Sequence, residues 1–270
     1  MADGVVVRVS TAIVDPEPFI ARTAASPPVG AFVGTIEGGP MQEALETGAA
    51  VVGIGPIGER LTLSATDVWP VRGADVPRGA LALLPFLGPI VAGLAALGVG
   101  LGDRALVSGR GLTARLAAVA MEQMTERTPA RLAPPREGAA GGSGGAAEVD
   151  VLVDTTGDTA WWGHVLLQVG KEGRALLLIP PGPQIHSFDF LPRIHRGSLS
   201  LAVRRVPSRG DPSAAAALLS RMLADGALAP ADVLGGITVG HAPAEGSPPL
   251  HRVPEGMGLA VQFDTTGDHA

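Results

Sequence analysis

The chain has 270 residues and no cysteine, which excludes a disulfide framework, a thiolate nucleophile and a cysteine-ligated zinc. It also lacks tyrosine, so mechanisms built on a catalytic phenol, such as the Tyr-Lys pair of short-chain dehydrogenases, are excluded. A net charge of −6 with no basic run argues against nucleic acid and anionic lipid as partners, while 46% hydrophobic residues indicate a folded body despite 38 glycines and 24 prolines.

Met1 to Ser10 shows no charged n-region, apolar core or cleavage site, so a cytoplasmic protein without a secretory leader is expected. Strands are predicted at Val5–Val9, Ala31–Ile36, Ala49–Ile54 and Glu59–Ser64, where β-branched residues and glycine recur without a helical period. Gly79 to Gly102 then carries no charge, long enough to pass for a membrane span. Pro85, Pro89 and several glycines interrupt it, which favours a buried helix over Ala80–Leu97 and no membrane.

Asp103 to Met124 is the stretch with the clearest local logic. Arg104–Val107 ends in apolar residues fit for a buried strand, Ser108-Gly109-Arg110-Gly111 makes a turn, and Leu112, Leu116, Ala117, Ala120 and Met124 recur at helical spacing. Gly109, Gly111 and Ala114 occupy the three small-residue positions of G-x-G-x-x-G/A. These permit a tight turn, the approach of a pyrophosphate to backbone N–H groups, and close packing of helix on strand. Thr125 to Ala147 reads as linker.

Order returns with the strand Val149–Val153, which ends in Asp154-Thr155-Thr156-Gly157. A helix over Thr159–Val169, a turn at Gly170–Gly173 and a strand at Arg174–Ile179 follow, then the strand Leu199–Val206. Asp211-Pro212 has the form of a helix start, N-cap then first helical position, for a helix over Ser213–Ala224, and strands at Ile237–Val239 and Leu259–Phe263 close the chain. Strands alternating with helices imply an α/β fold with a parallel sheet, whose ligands bind beyond the carboxyl ends of the strands. Ser108, Gly109, Gly111, Leu112, Asp154, Thr155, Thr156, Pro180 and Pro181 all fall at such ends and are the expected cofactor contacts.

The order of these pieces resembles the medium-chain dehydrogenase/reductase superfamily of alcohol dehydrogenases and quinone reductases. Gly102–Gly111 is similar to its G-D-x-V-L-V-x-G-x-G segment, Val149–Gly157 to its D-V-V-I-D-x-T-G strand, and Gly170–Ile179 to its P-G-G-R-x-V-x-x-G segment. Pro28–Ile36 resembles the strand that carries G-H-E-x-x-G-x-V, and Gly236–Phe263 the return to the catalytic domain. The resemblance implies a truncated Rossmann-like domain at 79–235 with linker 125–148. A reduced, GroES-like β domain would be built from 1–78 and 236–270. It also implies NAD(P) as cofactor.

Two departures qualify that expectation. Gly30 and Ala31 stand where the family's G-H-E segment has its zinc-binding His and the adjacent Glu, so no zinc is expected. The segment that normally holds a second strand, a helix and a third strand is cut to Thr125–Glu148, leaving room for a short strand at Pro129–Ala133 with Arg136 or Glu137 nearest the ribose, so the dinucleotide is expected to bind weakly or not at all.

Catalytic candidates are few. His186 and His195 follow the carboxyl end of a strand and suit an acid or base facing the crevice, although loop histidines are ordinarily surface residues. Asp154, Thr155 and Thr156 suit cofactor contact or, equally, local capping of a turn. Trp161 and Trp162 open a helix, where at most one is expected to face the core. Two functions follow. The first is a zinc-independent oxidoreductase acting on a carbonyl or alkene of a small or peptide-bound substrate in specialised metabolism. The second is a degenerate dehydrogenase serving as a non-catalytic partner, as a homodimer or paired with a related dehydrogenase.

Overall fold

The computed structural model describes residues 4–15, 29–39, 45–71, 76–134, 148–179, 198–229, 234–239 and 258–263. Two sheets share one core. The first contains β1 (Gly4–Val14), β2 (Val29–Gly38), β3 (Ala50–Pro56), β4 (Arg60–Ser64) and β5 (Val68–Pro70). The C-terminal strands β11 (Leu234–Val239) and β12 (Gly258–Phe263) join it, in the order β11-β12-β1-β2-β3-β5 with β4 also on β1. Its pairings are antiparallel except β11 with β12. β1 runs further than its apolar alternation suggests because a register shift between Val9 and Thr11 lets it turn from one set of partners to the next.

The second sheet is wholly parallel, in the order β10-β9-β8-β6-β7. Its strands are β6 (Ala105–Ser108), β7 (Ala130–Leu132), β8 (Val149–Asp154), β9 (Val169–Ile179) and β10 (Ser200–Arg205). The chain goes from β6 through α2 (Gly111–Thr125) to β7 on one side, then returns to β8 on the other. The strand order therefore reverses at β6, the place where such sheets open a crevice. Within the segment read as linker, Thr125 closes α2 and Ala130–Leu132 form β7, the short strand expected at Pro129–Ala133.

Between the sheets lies α1 (Leu84–Ala96), entered through a 3-10 turn over Arg78–Leu83. Its hydrophobic residues point to neighbours on several sides: Leu84, Phe86, Leu87, Ile90 and Leu94 are all buried, in one cluster with Ile13 and Val33 of the first sheet and Val107 and Leu176 of the second. Each such side chain contributes roughly 1.5–3 kcal/mol on burial, so the helical part of the uncharged stretch is accounted for as core, while its end, with Leu101 exposed, lies outside it. Pro89 stands inside this helix and has no N–H for the carbonyl of Pro85. That carbonyl accepts from Ser208 N–H instead (2.9 Å), and Gly88 O accepts from Asp211 N–H (3.4 Å). The proline is tolerated because the loop after β10 supplies the missing donor.

Two expectations are corrected. The helix predicted over Thr159–Val169 stops early: α3 is Thr159–Val165, Leu166–Gln168 form a 3-10 turn, and β9 begins at Val169. Gly170–Gly173 is accordingly no terminal turn but a bulge inside β9, with Glu172 at φ 62°. Val169 pairs with Val149 and Arg174 with Val151, so the strand continues past the bulge. The pairing of Val169 overrides the turn chemistry of its neighbours. By contrast α4 (Pro212–Ala224) starts as its sequence indicates, with Asp211 Oδ1 accepting from Ala214 N–H at 3.0 Å.

At the amino end of the sheet, Arg104 holds Asp150 through Nη2 to Oδ1 (2.9 Å), Nε to Oδ2 (3.1 Å) and its own backbone N–H to Oδ2 (2.8 Å). The Arg104 side chain and backbone donors lower the Asp150 carboxyl to about 2. The folded value lies below the unfolded one, so this stabilisation is present above about pH 4 and is lost as pH falls towards 2. Both side chains are well exposed, which keeps it modest. Asp150→Asn is expected to flatten the acid limb of urea stability measured from pH 5 to pH 2. Identical limbs in variant and parent contradict the assignment.

Candidate functional site

The turn after β6 is built around glycine for a reason internal to the fold. Gly109 has φ +120°, and a Cβ there would lie 2.1 Å from Thr155 Oγ1. Thr155, just past β8, fills that space and binds the carbonyl of Ser108 twice, from its N–H (2.9 Å) and its hydroxyl (3.0 Å). Gly109 N–H in turn donates to Leu132 O of β7 (2.8 Å). One glycine thus ties three adjacent strands together at their carboxyl ends.

Below the turn sits a buried polar cluster. Asp154 is 0% exposed, and its Oδ1 accepts from Thr156 N–H (3.1 Å), Thr156 Oγ1 (2.7 Å) and Trp162 Nε1 (2.9 Å). Its Oδ2 is buried without a hydrogen-bond partner. Trp161 Nε1 donates to Ser108 Oγ at 2.7 Å. Trp162 packs in the core while Trp161 is half-buried and stacks on His164, yet both indole N–H groups turn inward to the strand ends. Burial raises the Asp154 carboxyl above its ordinary range, and the Thr156 hydroxyl, the nearby Ser108 hydroxyl, the Trp162 indole and the Thr156 N–H offset this only in part.

The sign of that shift gives a test. A carboxyl that ionises later in the folded state favours folding most below its unfolded value, near pH 4, and that contribution is lost as pH rises through the folded value. Asp154→Asn cannot ionise. Its urea midpoint is expected to fall less than the parent's between pH 4 and pH 8, and parallel curves would rule the assignment out.

On the other side of β6 a cavity of about 410 Å³ is lined by Gly109, Arg110, Gly111, Arg115, Arg131, Leu132 and Ala133. Its charge is entirely positive. Arg110 spans from the turn, with Nη2 donating to Pro134 O at 2.9 Å. Arg131 comes from β7, paired across from Val107. Partial burial, and secondarily the positive charge of Arg115, hold its guanidinium below the usual arginine range. Two guanidinium groups facing one cavity repel each other, and a bound anion relieves that repulsion.

The expected cofactor residues therefore divide. Gly109 and Gly111 line the cavity, and Leu112 is buried in the core so that only its backbone can face a ligand. Ser108, Asp154, Thr155 and Thr156 come together but bond to one another and to the tryptophans. Pro180, Pro181, His186 and His195 lie outside the described residues, as do Arg136 and Glu137. The sequence reading missed Arg110, Arg115 and Arg131, although Arg131 stands twenty residues past Gly111, the interval at which this fold reads the adenosine ribose.

For zinc, the donor set is the test. The chain has no cysteine, and among the described residues no group of three His, Asp or Glu side chains is placed to hold a metal. The described residues do not fit such a centre.

The sequence matches no protein-family model and no curated protein. Solved structures match over nearly its whole length. Alcohol dehydrogenase TADH from Thermus sp. ATN1 superposes with a TM-score of 0.65 at 16% identity, covering 97% of this chain and 93% of that one. L-idonate 5-dehydrogenase from Escherichia coli K-12 gives 0.63 at 12%, covering 97% and 91%. A structure described as a short chain alcohol dehydrogenase from Escherichia coli CFT073, solved with NADH, gives 0.65 at 13%, covering 97% and 92%. At such identities the shared property is the fold: a curled β lobe and a Rossmann-like parallel sheet in the arrangement these dehydrogenases share. The resemblance carried by the Gly102–Gly111 and Val149–Gly157 motifs extends to the whole chain at the level of architecture.

Proposed function

We propose that this chain is an oxidoreductase of the medium-chain type that uses NADP(H) in preference to NAD(H) and reduces a carbonyl or alkene without zinc. The observation that carries the cofactor choice is the arginine-lined cavity beside Gly109 and Gly111. An acidic residue at the end of the second strand accepts from the ribose hydroxyl of NAD, whereas arginine there accommodates the 2′-phosphate of NADP. Arg131, the middle residue of β7, stands one residue before that end, with Arg115 and Arg110 lining the same cavity.

A bound nicotinamide supplies hydride transfer. This chain's residues would bind and orient it: Arg131 and Arg115 would hold the phosphate end, Gly109 would let the backbone turn come close, and the Trp162–Asp154 hydrogen bond would keep the strand ends behind that turn in place. A second reading, the non-catalytic partner, is supported by the filling of the β6–β8 crevice with Thr155 and the Asp154 cluster. In that reading β10, the sheet edge carrying half-exposed Val203, pairs with a second copy or a related dehydrogenase.

Titration with NADPH and NADH, followed by nicotinamide fluorescence, separates the two. The enzyme reading expects saturable NADPH binding below about 1 mM, the upper end of ordinary enzyme constants, and NADH at least about tenfold weaker. No saturation by either nucleotide favours the partner.

A further inference from the structure

Asp154 and Ser108 stand opposite each other in the pairing of β8 with β6, and both are fully buried. They lie on the same face as Leu106 and Leu152, which pack against Trp162 and Val165 of α3. Oδ1 of Asp154 takes its donors from Thr156 and Trp162, while Oδ2 takes none. The Ser108 hydroxyl beside it already accepts from Trp161 Nε1. This pattern fits a neutral carboxyl, because a proton on Oδ2 is a donor and a hydroxyl oxygen has a second lone pair to receive it.

A carboxylate in the same place would be buried with no cation to offset it. The charged side chains on every neighbouring element are turned elsewhere. Arg104, before β6, holds Asp150 at the amino end of β8, and Arg110, after it, reaches Pro134 O. Lys171, Glu172 and Arg174 precede the part of β9 that pairs with Asp154, and Arg174 holds Asp103. Arg131 of β7 lines the cavity. On α3, Asp158 caps the first turn and His164 stacks on Trp161. Among the described residues no charged group acts on Asp154.

The helix above the cluster is short. α3 has seven residues, and both its indoles reach down to the strand ends, Trp161 to Ser108 and Trp162 to Asp154. A helix of that length depends on such tertiary contacts and opens more readily than the core. Trp162 is buried, whereas half-buried Trp161 reaches solvent, so water comes to Ser108 and Oδ2 where Trp161 moves aside.

We propose that Asp154 and Trp161 form a proton-operated gate beside the nucleotide turn. With Asp154 neutral, Trp161 stays on Ser108 and α3 is seated. When Asp154 gives its proton to solvent, water enters to Oδ2, Trp161 leaves Ser108 and α3 loosens. Thr155, which fills the space beside Gly109, lies between Asp154 and Thr156, so opening withdraws it and clears the crevice between β6 and β8. That last step rests on the cofactor reading above and adds its regulation: the nucleotide binds better to the ionised form.

The test compares the full chain with Asp154→Asn, which keeps an oxygen for Thr156 and Trp162 and offers an amide N–H towards Ser108 at every pH. Acrylamide quenching of tryptophan emission is followed from about pH 5 to about pH 9, above the ordinary carboxylate value. Trp69, buried in β5, is a constant background, and His164 is present in both proteins, so its contribution cancels. Quenching is expected to rise about twofold through one step in the parent and to lack that step in the variant. Coincident profiles overturn the gate. In the parent alone, amide protection over 159–168 is expected to fall about tenfold relative to α2 across the same range, and a constant ratio overturns the gate as well. NADPH affinity should rise with pH about threefold more in the parent than in the variant. Binding to both with the same pH dependence overturns the link to the nucleotide turn. Binding to neither removes the cofactor reading, while quenching and exchange still decide the gate.

Discussion

Replacing Arg131 with alanine is expected to weaken NADPH binding by about 10- to 100-fold while leaving NADH nearly unchanged, because a charge-assisted hydrogen bond to phosphate is worth roughly 1.5–3 kcal/mol and only NADPH carries the 2′-phosphate. The effect belongs to the ligand rather than to the fold. Arg131 sits on the edge strand β7, exposed as a residue although its guanidinium is partly desolvated at the cavity, and its removal ends the repulsion with Arg115, so stability in urea should stay within about 0.5 kcal/mol of the parent. Arg115→Ala acts in the same direction and, with Arg131 still present to hold the phosphate, less strongly. Arg131→Asp goes further. It puts an acceptor where the ribose hydroxyl of NADH lies and a like charge where the 2′-phosphate of NADPH lies, so the order of the two affinities should invert. The fluorescence titration that tests the parent tests these variants too. Equal losses for both nucleotides after Arg131→Ala would move the arginine away from the 2′-phosphate.

What the sequence disclosed depended on how local each signal was. The turn from β6 into α2 was legible because glycine spacing and helical period lie within one short stretch, Ser108 to Met124. The same holds for the Asp211-Pro212 helix start. The arginine cavity was not legible, since it exists only because Val107 pairs with Arg131 and Ser108 with Leu132, which brings β7 alongside the turn. The twenty-residue interval from Gly111 to Arg131 is the one signal in the sequence, and a three-residue edge strand offers no periodicity to support it. The hydrogen bond from Thr113 to Asp15 is more remote still, formed by the docking of one lobe on the other. Asp154, Thr155 and Thr156 were found as a motif, but sequence left two uses open, and the structure shows their polar groups engaged with one another, with Ser108 and with Trp162.

The largest stability effect is expected where α1 meets the loop that leads into α4. Gly210 has φ +51°, and a Cβ placed on it would stand 2.2 Å from the carbonyl carbon of Gly88 and 2.3 Å from the nitrogen of Pro89. Those are backbone atoms of a helix flanked by the fully buried Leu87 and Ile90, so α1 has no room to retreat. The loop cannot retreat either, because Ser208 N–H supplies the carbonyl of Pro85 that Pro89 leaves without a donor. Gly210→Ala is therefore expected to cost about 3 kcal/mol or more, from overpacking against backbone together with the left-handed conformation. Gly226→Ala is the control: Gly226 has φ +68° but nothing within 4 Å of its Cβ position, so it carries only the conformational cost of about 1 kcal/mol. Urea denaturation reads both as shifts in midpoint at constant slope. A loss at Gly210 no greater than at Gly226 would mean that α1 and the loop are free to separate, and the account of how Pro89 is accommodated inside the helix would fail with it.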